Sequence, residues 1–204
     1  MKLFLKSLAF GLIISITLSL LNLSANCTDI QERVFRLHIL ANSDSDEDQN
    51  LKLELRDEIL KYTETLYANA ENRNEAKSIT QTHLNEINKF AQDFIYSKGY
   101  KYKVHSEVIN MYFTTRNYDK YTLPAGYYDA LRIVIGEGKG HNWWCVMFPP
   151  LCLPAAENKI QIENSFTSGE NELIENGIKY EYKFKIVELF YDIKSAVSGN
   201  ADWL

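Results

Sequence analysis

Apolar and polar residues alternate along residues 33–41, and a period of two predicts a β-strand. The more uniformly apolar face of this strand consists of Phe35, Leu37, Ile39 and Ala41. Polar residues follow at once, and Ser45 with Asp48 three positions later resembles a helix-capping pair. The pattern therefore predicts a strand that leads directly into a capped helix.

A helical period replaces the alternation in the next two segments. The first predicted helix spans residues 46–68, and the second spans residues 75–98 with Gly99 as its C-cap. His83 falls on the apolar stripe of the second helix, and we interpret it as a satisfied core residue. The stripe of the first helix consists of Leu51, Leu55, Ile59, Tyr62 and Leu66.

Three further strands are predicted at residues 100–113, with an extension to 116, at 127–136 and at 143–148. The glycine-rich segment between the last two predicts a hairpin. The predicted fold class is therefore α+β, a single domain over residues 26–154. Its elements follow the order β-α-α-β-β-β, with two helices packed on the sheet.

The chain changes character after Pro154. Residues 155–177 are polar and are predicted to form a linker. Residues 178–204 are apolar again, and we predict a C-terminal helical tail there.

Residues 1–25 have the pattern of a secretory signal peptide. Lys2 and Lys6 precede a long uncharged run, and Leu23-Ser24-Ala25 provides a small-residue cleavage site. An uncleaved membrane anchor is the alternative, because the run reaches the lower limit of a bilayer-spanning helix. The protein is therefore predicted to be exported, to meet the membrane only through this segment, and to leave Cys27 as a flexible terminal residue.

Charge and hydropathy exclude two classes of protein. The chain has 22 Lys+Arg against 27 Asp+Glu, a net charge of −5, without the clustered basic residues that a nucleic-acid partner requires. Its mean hydropathy of −0.29 excludes a polytopic membrane protein.

The cysteines of an exported chain are expected to pair. Cys145 and Cys152 flank Pro149-Pro150, and two prolines make a stiff turn that brings the flanking residues together. We predict a Cys145–Cys152 disulfide. The alternative is that both are free buried thiols.

The candidate catalytic and metal-binding patterns are incomplete. Asp44, Asp46 and Asp48 begin like a calcium loop, but Gln49 stands where that loop needs glycine, so helix capping is the better interpretation. His141 and Cys145 would suggest a cysteine nucleophile, but a disulfide would consume the thiolate. We predict no enzymatic activity, no cofactor and no metal.

The segment 136–140 leads into two tryptophans. Adjacent rings on a strand point to opposite faces, so one ring packs in the core while the other is free to contact a partner. The register weakly favours Trp144 as the buried one, because it shares a face with Val146 and Phe148. The candidate contact residues here are Lys139, His141, Asn142, Trp143 and Trp144.

Two segments resemble the stage II sporulation protein R family. The first is Arg36-Leu-His38-Ile-Leu-Ala-Asn-Ser-Asp-Ser45, followed by Asp48-Gln49 and by Arg56-Asp57. The second begins at Leu123-Pro-Ala-Gly126 and runs through Gly136-Glu-Gly-Lys-Gly-His-Asn-Trp-Trp-Cys145 to Cys152. The resemblance adds Arg36, His38 and Asp44 to the candidate contact residues.

The resemblance implies a signalling protein made in the forespore and exported into the space between the forespore and mother-cell membranes. There it would be needed to activate a membrane-embedded aspartic protease of the mother cell, which processes the sigma-E precursor. The alternatives from the residues themselves are a cell-envelope enzyme and a wall-glycan-binding module that uses one of the tryptophans.

Overall fold

The structure is a computed structural model that describes residues 2–118, 121–150 and 166–175, together with residues 185, 188 and 189. The helices are α1 (Lys2–Arg33), α2 (Asp46–Leu66), α3 (Arg73–Thr82), α4 (Leu84–Ser97) and α5 (Ser168–Glu175). The strands are β1 (Phe35–Leu40), β2 (Val104–Phe113), β3 (Arg116–Tyr118), β4 (Tyr121–Leu123), β5 (Gly126–Ile135) and β6 (Asn142–Phe148). Within these ranges, none of the helices combines the length and the hydropathy that a bilayer crossing requires.

The predicted α+β class is confirmed. Four strands form one mixed sheet in the order β2-β5-β1-β6, and β3 pairs with β4 in a small separate ribbon. β1 runs parallel to β5 and antiparallel to β6, while β2 is antiparallel to β5.

The predicted hairpin between β5 and β6 is wrong, because β1 lies between these two strands. The glycine-rich segment crosses the end of β1 instead. Lys139 N donates to Asn42 O at 3.2 Å, and Gly140 N donates to Ala41 O at 3.0 Å. The reason lies in β1, which buries even Arg36 (0% exposed) and His38 (4% exposed) on its more polar face. A strand that is buried on both faces takes a central position in a sheet.

The first face of the sheet packs against α2, α3 and α4. Phe35, Leu37 and Ile39 of β1 are fully buried there, as the alternation predicts. The predicted cap of α2 is also confirmed, because Ser45 Oγ accepts a hydrogen bond from Asp48 N at 3.2 Å. All five predicted stripe residues of α2 belong to or pack against this core: Leu51, Leu55, Ile59, Tyr62 and Leu66.

The single predicted helix over residues 75–98 is wrong, because the chain breaks at His83 between α3 and α4. His83 is not a core residue either: its side chain is 36% exposed and pairs with Glu86 at 2.8 Å. Thr80 and Thr82 donate their hydroxyl hydrogens to carbonyls four residues earlier. Such bonds weaken and bend a helix, which accounts for the break near His83.

The second face of the sheet is covered by the end of α1, by β3 and β4, and by α5. Cys27 (1% exposed) and Ile30 (0%) are buried here, so Cys27 is not a flexible terminal residue. Helix α1 runs through the predicted cleavage position without interruption. It follows that the residues just after that position are part of the core, whereas cleavage itself stays a prediction.

Helix α5 lies within the range predicted as a polar linker and differs from that prediction. Phe166 and Ile174 are buried against the second face, and Glu170 pairs with Arg33 at 2.9 Å. A sheet with two apolar faces needs cover on both, and this short helix supplies part of it. The rest of residues 155–177 and most of the predicted tail, 178–204, lie outside the described residues.

Candidate functional site

The two segments that carry the family resemblance meet at the end of β1. We call this site the motif junction and define it as residues 42–44 and 136–142. The carboxylate of Asp44 accepts hydrogen bonds from the backbone N of His141, at 2.5 Å, and from the ring Nδ1 of the same residue. These bonds lower the pKa of Asp44. Residues 97 positions apart in the chain are thereby fixed to each other.

A buried carboxylate holds the first half of the motif junction in place. Asp48 (3% exposed) accepts from Asn42 Nδ2 at 2.8 Å and from Ser43 Oγ at 2.6 Å. Burial alone would raise the pKa of Asp48, but the hydrogen bonds from Ser43 and Asn42 outweigh it and hold the pKa below its ordinary value. Asp48 therefore stays ionised at neutral pH and orders the segment in front of α2.

Lys52 ties the second half of the motif junction to α2. Its ammonium group donates to His141 O at 2.8 Å and to Gln49 Oε1 at 2.5 Å. The side chain is nearly buried, so both bonds lie away from bulk water and gain strength from it. Lys52 thus fixes the backbone immediately before Trp143.

The approach of Gly140 to Ser43 leaves no room for a side chain. A Cβ atom on Gly140 would lie 2.1 Å from Ser43 O and 3.0 Å from Ala41 Cβ. The first of these neighbours is backbone, which cannot rotate away as a side chain can.

Gly140→Ala is therefore expected to lower the free energy of unfolding by about 2 kcal/mol or more, since the loop must move off β1. Gly99→Ala is the control. Gly99 has a φ of +84° but open space around it, so alanine there meets only the backbone penalty of the left-handed region, about 1 kcal/mol. Urea denaturation of both variants measures the difference. Equal losses would mean that the close approach does not constrain the loop.

The two tryptophans point to opposite faces, as predicted. Trp143 is 36% exposed, and the Arg56 guanidinium lies 4.5 Å from the centre of its ring. Trp144 lies on the second face, stacked on His38 at 4.4 Å and edge-on to Phe113 at 4.6 Å. Its ring nitrogen donates to Asn142 Oδ1 at 2.5 Å. Trp144 is therefore the packed ring and Trp143 the exposed one.

One detail of that face assignment is wrong. Val146 packs on the second face with Trp144, but Phe148 packs on the first. The register between β1 and β6 shifts between Phe35 and Arg36, so one extra residue of β6 intervenes there. A β-bulge of this kind reverses the side of every residue that follows.

The motif junction gathers most of the predicted contact residues on one surface. Asp44, Lys139 and His141 are exposed, with side-chain exposures of 54%, 76% and 80%. Asn142 and Trp143 follow at the start of β6, where both are exposed, with Asn142 on the side of Trp144 and Trp143 on the opposite side. Lys139 pairs with Glu137 at 2.7 Å. The result is a fixed loop with polar side chains beside one exposed aromatic ring.

Arg36 lies away from this surface. Its guanidinium is buried among Phe113 (4.0 Å), Tyr128 (4.8 Å) and Tyr118 (5.7 Å), measured to each ring centre. It also donates to the hydroxyl of Tyr118. Burial lowers the pKa of Arg36. The aromatic faces stabilise the cation in place of a carboxylate, so Arg36 serves to join β1 to β3 and β5.

His38 is the second buried polar residue of β1. Neither of its ring nitrogens has a hydrogen-bond partner among the described residues. Burial, with further contributions from Arg132, Arg36 and Arg116, lowers the pKa of His38 to about 4. The ring is therefore neutral at neutral pH.

The cysteines lie apart from any exposed surface. Cys145 is 1% exposed and disulfide-bonded. Cys152 lies outside the described residues, so its pairing with Cys145 stays a prediction. Because the ring of His141 binds Asp44, the arrangement does not place a free thiolate beside a histidine base. Within the described ranges, no three metal-ligating side chains form a group.

Sequence reasoning missed the polar row of α2 that supports the motif junction. Asp48, Lys52 and Arg56 recur every four residues, so they lie along one side of the helix. They contact the 42–44 segment, His141 and Trp143 in turn. The spacing could have been found beside the apolar stripe, but only the structure shows that this side faces β6.

The described residues thus form an α+β domain in which hydrogen bonds join two distant segments at the end of β1. Residues 31–158 match the family model of stage II sporulation protein R. Because this match covers more than half of the chain, the chain belongs to this family. It is 39% identical over 123 residues to the stage II sporulation protein R of Bacillus subtilis (strain 168). That match covers 60% of this chain and 55% of the relative, so the chain spans about half the length of the curated relative it matches. No solved structure matches it.

Family membership confirms the resemblance and assigns the protein a role in sporulation.

Proposed function

We propose that this chain is an exported signalling protein that activates the membrane-embedded aspartic protease of the mother cell. That protease processes the sigma-E precursor during sporulation. The chain acts in the space between the forespore and mother-cell membranes, as a ligand and not as an enzyme. Its membership of the stage II sporulation protein R family supports this proposal.

The observation that carries the ligand role is the construction of the motif junction. Asp44, Asp48 and Lys52 fix two distant segments, and the loop they hold presents Lys139 and His141 to solvent. A surface that is ordered before binding loses little conformational entropy when a partner docks. The exposed ring of Trp143 beside it is the type of residue that anchors protein interfaces.

Activation by such a ligand is a shift between two states of the protease. A ligand shifts an equilibrium only by the difference between its affinities for the two states. The motif junction would therefore bind a surface that is present in the active form of the protease and absent from the inactive form. A surface formed across a protease dimer is one example.

The wall-glycan alternative is less well supported. Sugars stack on an open aromatic face, whereas one side of the Trp143 ring is occupied by Arg56 at 4.5 Å.

Co-expression in a non-sporulating cell tests the proposed function. The cell carries the chain with its export segment, the protease, and the sigma-E precursor, and immunoblotting measures the fraction of precursor processed. We expect processing only when all three are present. The control is the same chain without residues 1–25, which remains in the cytoplasm and should leave the precursor intact. Processing that proceeds equally without the chain would refute the proposal.

A further inference from the structure

The second face of the sheet carries a row of polar side chains beside the motif junction. The strand registers place one residue of each strand in line: Glu107 on β2, Arg132 on β5, His38 on β1 and Trp144 on β6. Arg116 of β3 lies over the same tryptophan, with its guanidinium carbon 5.2 Å from the ring centre.

This row has more hydrogen-bond donors than acceptors. Four nitrogen atoms are buried without a partner among the described residues: Arg116 Nε, Arg132 Nε and the two ring nitrogens of His38, of which one donates and the other accepts in the neutral ring. The described acids nearby are already engaged. Glu107 binds Arg132 Nη1 at 3.1 Å, and Glu188 accepts from the backbone N of Thr115 at 2.8 Å. Buried donors without partners are costly, so their presence in one place calls for an acceptor.

Arg36 Nη1 is also buried without a partner among the described residues, but Arg36 lies outside this row. Its charge is held by the aromatic rings around it, as described above. His38, Arg116 and Arg132 have no such enclosure, although Trp144 lies against both His38 and Arg116. Arg116 and Arg132 carry positive charge here, only Arg132 has a carboxylate partner among the described residues, Glu107, and neutral His38 adds one N–H donor, so the three residues form a donor-rich patch at the edge of the buried face.

We propose that His38, Arg116 and Arg132 form a binding site for a carboxylate carried by an acidic segment of a protein partner. Carboxylates accept charge-assisted hydrogen bonds from arginine, which are stronger than bonds between neutral groups. Arg132 has 34% of its side chain exposed and gives the partner access to the patch. The patch adjoins the motif junction through the Trp144–Asn142 hydrogen bond, so one partner reaches both.

This inference rests on the proposed function, since it supplies the chemistry by which the same partner is recognised. The electrostatics of His38 support it. Burial is the main cause of its lowered pKa, and the neighbouring arginines lower that pKa further. A bound carboxylate opposes that repulsion and raises the pKa of the ring, which gives the site a spectroscopic signature.

Nuclear magnetic resonance of the histidine rings tests the site directly. The probe is a blocked tripeptide with a central glutamate, and its glutamine analogue is the neutral control. We expect the ring signals of His38 to shift on addition of the glutamate peptide alone, and the titration midpoint of His38 to rise. Absence of a shift, or equal shifts with both peptides, would overturn the site. Tighter binding of inorganic phosphate than of the glutamate peptide would overturn the assignment to a carboxylate.

Two substitutions identify the residues, so the test does not depend on one variant folding. Arg132→Gln and Arg116→Gln are each expected to weaken peptide binding by about tenfold, the loss of one charge-assisted contact. Arg132→Lys should restore part of the affinity. Lys89→Gln, an exposed change of charge on α4, is the matched control and should have no effect. Unchanged binding in both arginine variants would overturn the assignment.

The processing assay separates this inference from the proposed function. We expect Arg132→Gln to reduce activation and Lys89→Gln to preserve it. Full activation by Arg132→Gln would overturn the role of the site in partner recognition while leaving the proposed function intact. Failure of the unmodified chain to activate would refute the proposed function, and peptide binding would then still decide whether the carboxylate site exists.

Discussion

Trp143→Ala is expected to reduce protease activation by roughly thirtyfold, the loss of an interface anchor worth about 2 kcal/mol. Its free energy of unfolding should change by under about 1 kcal/mol, because the exposed ring loses little more than its contact with Arg56. The processing assay measures the first quantity, and thermal or urea unfolding measures the second.

Trp144→Ala is the matched variant on the opposite face. It removes the stack on His38 and the edge contact with Phe113, and should lower the free energy of unfolding by about 3 kcal/mol. The pair therefore separates binding from folding on adjacent residues. If both variants unfolded early, or if both stayed stable and fully active, Trp143 would not be a contact residue.

The stability of the fold is expected to fall by about 3 kcal/mol between pH 6.5 and pH 4 because of His38. The unfolded chain binds a proton at the ordinary pKa of 6.5, whereas the folded chain resists it until about 4. The unfolded state therefore holds more protons in this window. The contribution of His38 to stability is complete above pH 6.5, and it is lost as the pH falls through the folded-state pKa of about 4.

Urea denaturation at a series of pH values measures this slope. His38→Gln should remove it, and His105→Gln, an exposed histidine of β2, is the control that should retain it. The pKa values of Asp44, Asp48 and Asp129 are lowered from an ordinary value of 3.8. The stability that these carboxylates contribute is therefore lost only below the pH range over which His38 titrates. A slope that survives in His38→Gln would show that another group titrates there.

Local patterns predicted the elements better than their arrangement. The helical period located α2, and the strand alternation identified Phe35, Leu37 and Ile39 as core. The cap at Ser45 followed from side-chain chemistry within three residues. Each of these features is determined by neighbours in the sequence, which is why the sequence was sufficient.

The strand order could not be predicted in the same way. A glycine-rich segment between two strands favours a hairpin, but the burial of Arg36 and His38 places β1 between them. Polar side chains on one face of a strand usually indicate exposure, and only the tertiary structure shows that aromatic rings cover them. The same limit applies to the site, because the contacts of Lys52 and Arg132 join residues that are distant in the chain.

The position of β1 also determines when the sheet can form as the chain is synthesised. Its Arg36 binds the carbonyl of Cys145, 109 positions later, and neither neighbouring strand of β1 is complete until residues 126–148 are available. A growing chain therefore holds its central strand long before anything can pair with it, and such distant pairings form slowly. Under the export proposed above, that delay keeps the sheet open while the chain crosses the membrane, because the sheet cannot close ahead of its own last strand.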